Sequence, residues 1–149
     1  MGRDQEIGSR GFTLLELIVV LLVLALAVAL SAPAVGRGTE GLRVRAEVAG
    51  FSATLRHARE QAITSRKAHV VAVDPAEHRM TIAVDGSDVR QTRALPARLR
   101  VEASPPPALS VRFEPPGHST GGDFRLSSGE VSYRVTVDPA TGRVRAKRE

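Results

Sequence analysis

The stretch from Arg10 to Ala34, RGFTLLELIVVLLVLALAVALSAPA, constrains this chain more than any other. Glu16 is the only charge after Arg10 in that run, and no charged residue occurs from Leu17 to Val35. At about 1.5 Å per residue, a helix from Phe12 to Val35 would be about 36 Å long, against a hydrocarbon core of about 30 Å. A helix also satisfies its own backbone hydrogen bonds, which lipid cannot do. A secretory signal has a shorter apolar region followed by a small-residue cleavage site. Here the polar junction, Gly11-Phe12, comes before the run. The sequence therefore predicts a membrane-spanning helix over 12–35, and all later segments must be arranged beyond it.

An intramembrane carboxylate is a functional-site hypothesis by default, because a lone charge at the bilayer centre costs about 2.5–3.5 kcal/mol. A plain anchor whose Glu16 reaches the interface is the competing reading. The charges flanking the helix do not orient it. Arg3 and Arg10 precede it with Asp4 and Glu6, and Arg37, Arg43 and Arg45 follow it. Pro33 should remove a hydrogen bond near the far end, and Gly36, Gly38 and Gly41 suggest a flexible junction.

The remaining chain is long enough for one small domain. A second helical stretch is expected from about Leu42 to Lys67. Val44, Val48, Phe51, Leu55, Ala58 and Ala62 form its apolar stripe, the pattern of an amphipathic helix. Arg45, Glu47, Arg56, Arg59 and Arg66 lie largely off the stripe and read as a solvated face rather than a partner surface. After Ala68 the period changes to two. Strands are expected at Ala68–Asp74, Arg79–Val84, Val89–Leu95, Arg98–Ala103, Leu109–Phe113, Phe124–Leu126, Val131–Val137 and Arg143–Lys147. Asp85-Gly86 and Asp138-Pro139-Ala140-Thr141-Gly142 read as turns. A long helix followed by strands is the α+β layout, with the helical stripe packed on one antiparallel sheet.

Little in the sequence points to catalysis. With no cysteine there is no disulfide framework and no thiolate metal site. The four histidines, His57, His69, His78 and His118, lack metal-ligand spacing, and no serine sits in a nucleophile elbow. Gly117-His118-Ser119-Thr120-Gly121-Gly122 has neither the lysine nor the following helix of a phosphate loop, and reads as a hairpin loop. Lys plus Arg exceeds Asp plus Glu by 21 to 16, spread through the chain. No catalytic residue, metal site or cofactor is expected.

Gly11-Phe12-Thr13-Leu14-Leu15-Glu16, at the head of a spanning helix, resembles the class III leader of type IV pilins and type II secretion pseudopilins. The resemblance implies that prepilin peptidase removes residues 1–11, cutting between Gly11 and Phe12, and methylates the new amino group of Phe12. It implies that Glu16 is the assembly carboxylate. A neighbour's terminal amine paired with Glu16 would remove two charges from lipid and fix the axial stagger of the helices, acting as a register device. Leu55-Arg56-His57-Ala58-Arg59-Glu60-Gln61-Ala62-Ile63, Val111-Arg112-Phe113-Glu114-Pro115-Pro116-Gly117, Tyr133-Arg134-Val135-Thr136-Val137 and Thr141-Gly142-Arg143-Val144 are similar to the minor pseudopilin H subunits. Fimbrial T-type minor pilins share that domain. Pro115-Pro116 departs from the family's more usual single proline before a polar residue. No acidic cluster matches the calcium loop of major pseudopilins.

The resemblance implies a type IV pilin-like α+β fold: leader 1–11, transmembrane helix 12–35, amphipathic continuation 36–67, and antiparallel β domain 68–149. It implies a structural minor pseudopilin at the pseudopilus tip, single-pass in the inner membrane with its domain in the periplasm. Expected partners are other major and minor pseudopilins, prepilin peptidase and the inner-membrane secretion platform. A type IV pilus minor pilin that binds DNA is the alternative within the family, and a membrane-anchored periplasmic enzyme is the alternative from another class. Arg143, Arg145 and Lys147, at two-residue spacing on the last strand, are the candidate nucleic-acid contacts. The same row could instead discourage pairing at an edge strand. Phe12 and Phe51 are committed elsewhere, which leaves few aromatics for base stacking, so nucleic acid is not an expected partner.

Overall fold

A computed structural model describes residues 12–85, 87–106 and 108–149; within them, the side chains of 30–39 are outside the description. The chain divides into two compact units, Met1–Thr39 and Glu40–Glu149. A single helix, α1, is assigned over Leu14–Ser65. It runs through Gly36, Gly38 and Gly41, where the sequence suggested a flexible junction. At its other end Arg66 takes φ 55°, a left-handed conformation that stops the helix without a glycine.

Eight strands follow: β1 His69–Asp74, β2 Arg79–Val84, β3 Asp88–Ala94, β4 Arg100–Ala103, β5 Ser110–Phe113, β6 Gly122–Ser128, β7 Val131–Val137 and β8 Val144–Arg148. They pair into two four-stranded sheets, ordered β3-β2-β1-β5 and β4-β6-β7-β8, where one sheet was expected. All the pairings are antiparallel. The split arises because β5 returns to pair with β1, while β4 skips β5 to pair with β6. The expected three-residue strand at Phe124 extends over Gly122–Ser128, and Arg143 precedes β8.

The turns follow their sequences. Asp74 Oδ1 accepts hydrogen bonds from the amides of Ala76 and Glu77, both at 3.1 Å, and folds the β1–β2 turn. Asp85 adopts φ 51° in the β2–β3 turn, and Gly86, the other residue of that expected turn, lies outside the described residues. The loop after β5 is a hairpin-like return: Phe113 bridges Ser119, and the Glu114 amide donates to the His118 carbonyl at 2.9 Å.

The core joins one face of α1 to both sheets. Val44, Val48, Phe51, Leu55, Ala58 and Ala62 are all buried, as their spacing requires. They belong to one apolar cluster with Val71 and Ile82 from the first sheet and Leu126 and Val135 from the second. Phe51 meets Phe124 of β6 edge-to-face, with ring centroids 5.4 Å apart. On the first sheet, Arg93 of β3 reaches Glu47 of α1 at 3.3 Å. The guanidinium lies where a side chain at Gly50 would be, so the glycine that weakens the helix also admits this arginine.

Phe51→Ala should therefore destabilise the domain by about 3–5 kcal/mol, because it empties the centre shared by helix and sheets. Chemical denaturation of the full-length chain in detergent checks this. A loss below about 1 kcal/mol would mean the site collapses or is not central.

Candidate functional site

The first unit carries the leader-proximal residues. Gly11 lies outside the described residues, while Phe12 is 77% exposed. Thr13 caps α1: its Oγ1 accepts the Glu16 amide at 3.2 Å. Thr13-Leu14-Leu15-Glu16 thus has the spacing of a capping box, and Glu16 sits in the first turn, where the helix dipole favours a carboxylate. The T-x-x-E spacing is the sequence signal that carries this local role. The described apolar side chains that follow, including Leu14, Leu17, Ile18, Leu22, Leu26 and Val28, are all exposed. Among the described residues, no helix is long and apolar enough to cross a membrane; the last six residues of the 12–35 run have side chains outside the description.

In the second unit, β8 is an edge strand. Val144 faces the core, and Arg145, Ala146, Lys147 and Arg148 are all exposed. Arg143 and Arg145 meet Arg56 and Arg59 of α1 across a cleft, with Glu60 and Gly142 completing the wall. Lys147 is not part of that lining, so the expected row divides.

Arg59 corrects the expectation of a solvated arginine face. Its side chain is half-buried, and its Nε donates to the Gly117 carbonyl at 3.1 Å and to the Thr141 carbonyl at 3.0 Å. One guanidinium therefore ties the helix to the β5–β6 loop and the β7–β8 turn. Arg56 Nη2 adds a longer contact to the Val144 carbonyl at 3.4 Å. The turn is itself braced, because Asp138 Oδ1 accepts from the Thr141 amide at 2.8 Å and the Thr141 hydroxyl at 2.7 Å. These bonds hold the Asp138 carboxyl below its usual range, the Thr141 hydroxyl contributing most. Gly142 has φ 63°, and a Cβ there would run into the Gly117 carbonyl and the Arg59 side chain. Fixed offsets in sequence give no signal for Arg59, since its two acceptors are 58 and 82 residues away.

A second polar cluster lies on the same sheet. Arg134 bonds Glu149 at 2.7 Å and Asp123 at 3.2 Å, and Arg125 reaches Glu149 at 3.1 Å. The Arg134 hydrogen bond is the main cause of a lowered Glu149 carboxyl, and Glu149 in turn raises Arg134. Among the described residues, no group of three or more His, Asp or Glu side chains could hold a metal ion.

A long helix followed by antiparallel sheets is the architecture of the type IV pilin-like proteins. The minor pilin FimU of Pseudomonas aeruginosa matches with a TM-score of 0.62 at 18% identity, covering 73% of this chain and 91% of that one. The minor pseudopilin EpsH from the type 2 secretion system of Vibrio cholerae matches with a TM-score of 0.59 at 18% identity, covering 70% and 96%. The family model described as type II transport protein GspH matches residues 47–141, and the prokaryotic N-terminal methylation motif matches residues 8–32. Type II secretion system protein H of Xanthomonas campestris pv. campestris is 34% identical over 140 residues, 92% of this chain and 82% of that protein. The chain belongs to the GspH family of type II transport proteins.

Two outcomes follow from this geometry. Arg59→Ala should cost about 1–3 kcal/mol, since two carbonyls lose their donor. Hydrogen exchange should quicken at the amides of Ser119 and Gly142 before the rest of the sheet; unchanged exchange there would remove the clasp. Glu149 has a folded carboxyl lowered below its unfolded value of about 4.3, so its stabilisation is complete above that pH and is lost as pH falls through the lowered value. Thermal unfolding against pH should show this acid loss in the parent chain and a shallower one in Glu149→Gln. Equal slopes would mean the pairing contributes nothing.

Proposed function

We propose that this chain is a structural minor pseudopilin of the type II secretion system, placed at the tip of a short pseudopilus that helps drive folded proteins across the outer membrane. The observation that carries the reading is the match to protein H of the Xanthomonas system along nearly the whole chain. The N-terminal methylation motif supports processing of the kind the leader implies. In this reading prepilin peptidase cuts between Gly11 and Phe12 and methylates Phe12. The run 12–35 anchors the protein in the inner membrane, with the sheet domain in the periplasm. The exposed apolar side chains of α1 up to Val28 support the anchor, because lipid or neighbouring helices would cover them. Partners are other major and minor pseudopilins, prepilin peptidase and the inner-membrane secretion platform.

Glu16 acts here as the assembly carboxylate, pairing with the terminal amine of a neighbouring subunit. Its capping position keeps it at the head of the helix, one turn from Phe12. The role proposed for the chain is architectural rather than enzymatic. A second reading, a DNA-binding minor pilin of a type IV pilus, draws on the fold shared with FimU and on the exposed Arg143, Arg145 and Lys147. The edge position of β8 favours the plainer role for these charges, which is to block strand-to-strand association.

Intact-mass analysis from cells with active prepilin peptidase tests processing. The mature chain should start at Phe12 with an added N-methyl group, and Gly11→Val should remain uncut; a parent chain retaining Met1 would reject the assignment. In the same cells, Glu16→Ala should be cleaved normally yet co-purify poorly with the other pseudopilins. Equal co-purification would remove the register role.

A further inference from the structure

The cleft between α1 and the β7–β8 turn gathers four arginines in one place. Arg56, Arg59, Arg143 and Arg145 line it with Glu60, and the Asp138 carboxylate of the adjoining turn is close enough to Arg145 to feel its charge. Elsewhere in the domain, Arg79, Arg90, Arg93, Arg112, Arg125 and Arg134 each have a carboxylate within 4 Å, while Arg43, Arg45, Arg66, Arg98, Arg100 and Arg148 are exposed and have none among the described residues. Among the described residues, none of the four cleft arginines makes such a pair. Arg56 and Arg59 are instead held by backbone carbonyls, which fix their positions without cancelling their charge. Both Arg59 bonds use Nε, so its terminal nitrogens remain available to a ligand. The turn that carries Arg143 is locked by Asp138 and Thr141, and the Arg143 carbonyl accepts from the Asp138 amide at 2.9 Å. The site is thus a preorganised cluster of forked donors.

We propose that this cleft is a docking site for an acidic segment of another protein, whose Asp or Glu side chains take up the unpaired guanidinium groups. The size of the cleft favours carboxylates over a nucleic-acid backbone. At about 240 Å³ it accommodates one or two side chains, whereas duplex binding draws on many phosphates along a continuous track. The lining of the cleft has no aromatic side chain on which bases could stack. β8 borders the cleft, so an extended segment seated there could place its carboxylates opposite Arg143 and Arg145. The inference goes beyond the pseudopilin reading, because it needs only the cleft and its charges.

The test uses the full-length chain in non-ionic detergent and a fluorescein-labelled glutamate-rich peptide, with the matched glutamine peptide as comparison. The glutamate peptide should bind and the glutamine peptide should not. Arg143→Gln/Arg145→Gln should weaken binding about tenfold, while Arg98→Gln/Arg100→Gln, which removes the same charge from exposed positions elsewhere, should leave it unchanged. All four substituted side chains are exposed, so the folds should survive. Independently, a benzophenone-bearing glutamate peptide should cross-link the unsubstituted chain next to Arg56, Gly142 or Val144. Equal losses in both double variants, cross-links elsewhere, or no preference over the glutamine peptide would overturn the proposal. Displacement of the peptide by duplex DNA at lower concentration than by unlabelled peptide would also overturn it, in favour of nucleic acid.

Discussion

One apolar stripe on α1 organises the second unit. Six side chains from Val44 to Ala62 sit on one helix face, and two sheets share the task of covering it. Residues of both sheets' inner faces join the helical stripe in one apolar cluster. Phe51 against Phe124 is the central contact of that arrangement. Burial of this kind is non-directional, and it leaves the polar contacts to set geometry rather than to supply most of the stability. The described apolar side chains at the start of the same helix, up to Val28, are exposed.

Arginine does much of the geometric work. Arg93 closes over Gly50 to reach Glu47, Arg134 gathers Asp123 and Glu149, and Arg59 ties two loops to the helix. The chain has no cysteine to staple these loops, so planar guanidinium groups with several donors are what hold distant backbone segments together. Glycines with positive φ at Gly117 and Gly142 allow the loops to approach closely enough for Arg59 to reach both. In this chain, basic composition reflects internal bracing as well as surface charge.

Much of this was legible in the sequence because it depends on local period. The helical stripe is correct residue by residue, and β2 and β7 fall on their expected ranges, since alternation and 3.6-residue spacing are written into consecutive residues. The α+β, type IV pilin-like class followed from the same pattern and from the leader motif. The two-sheet division was not legible, because it turns on which distant strands pair: β1 with β5, and β4 with β6. Arg59 was read as solvated because it lies off the stripe, yet its acceptors are carbonyls contributed by loops far along the chain. Pattern identifies faces, while partners across a fold depend on topology.

The account rests on a single core shared by α1 and both sheets, and native-state hydrogen exchange of the full-length chain in detergent tests it most directly. The amides of Ile82 in β2 and Val135 in β7 should report the same opening free energy and respond equally to denaturant, as members of one cooperative unit. Two distinct opening energies, with one sheet exchanging while the other stays protected, would contradict a common core.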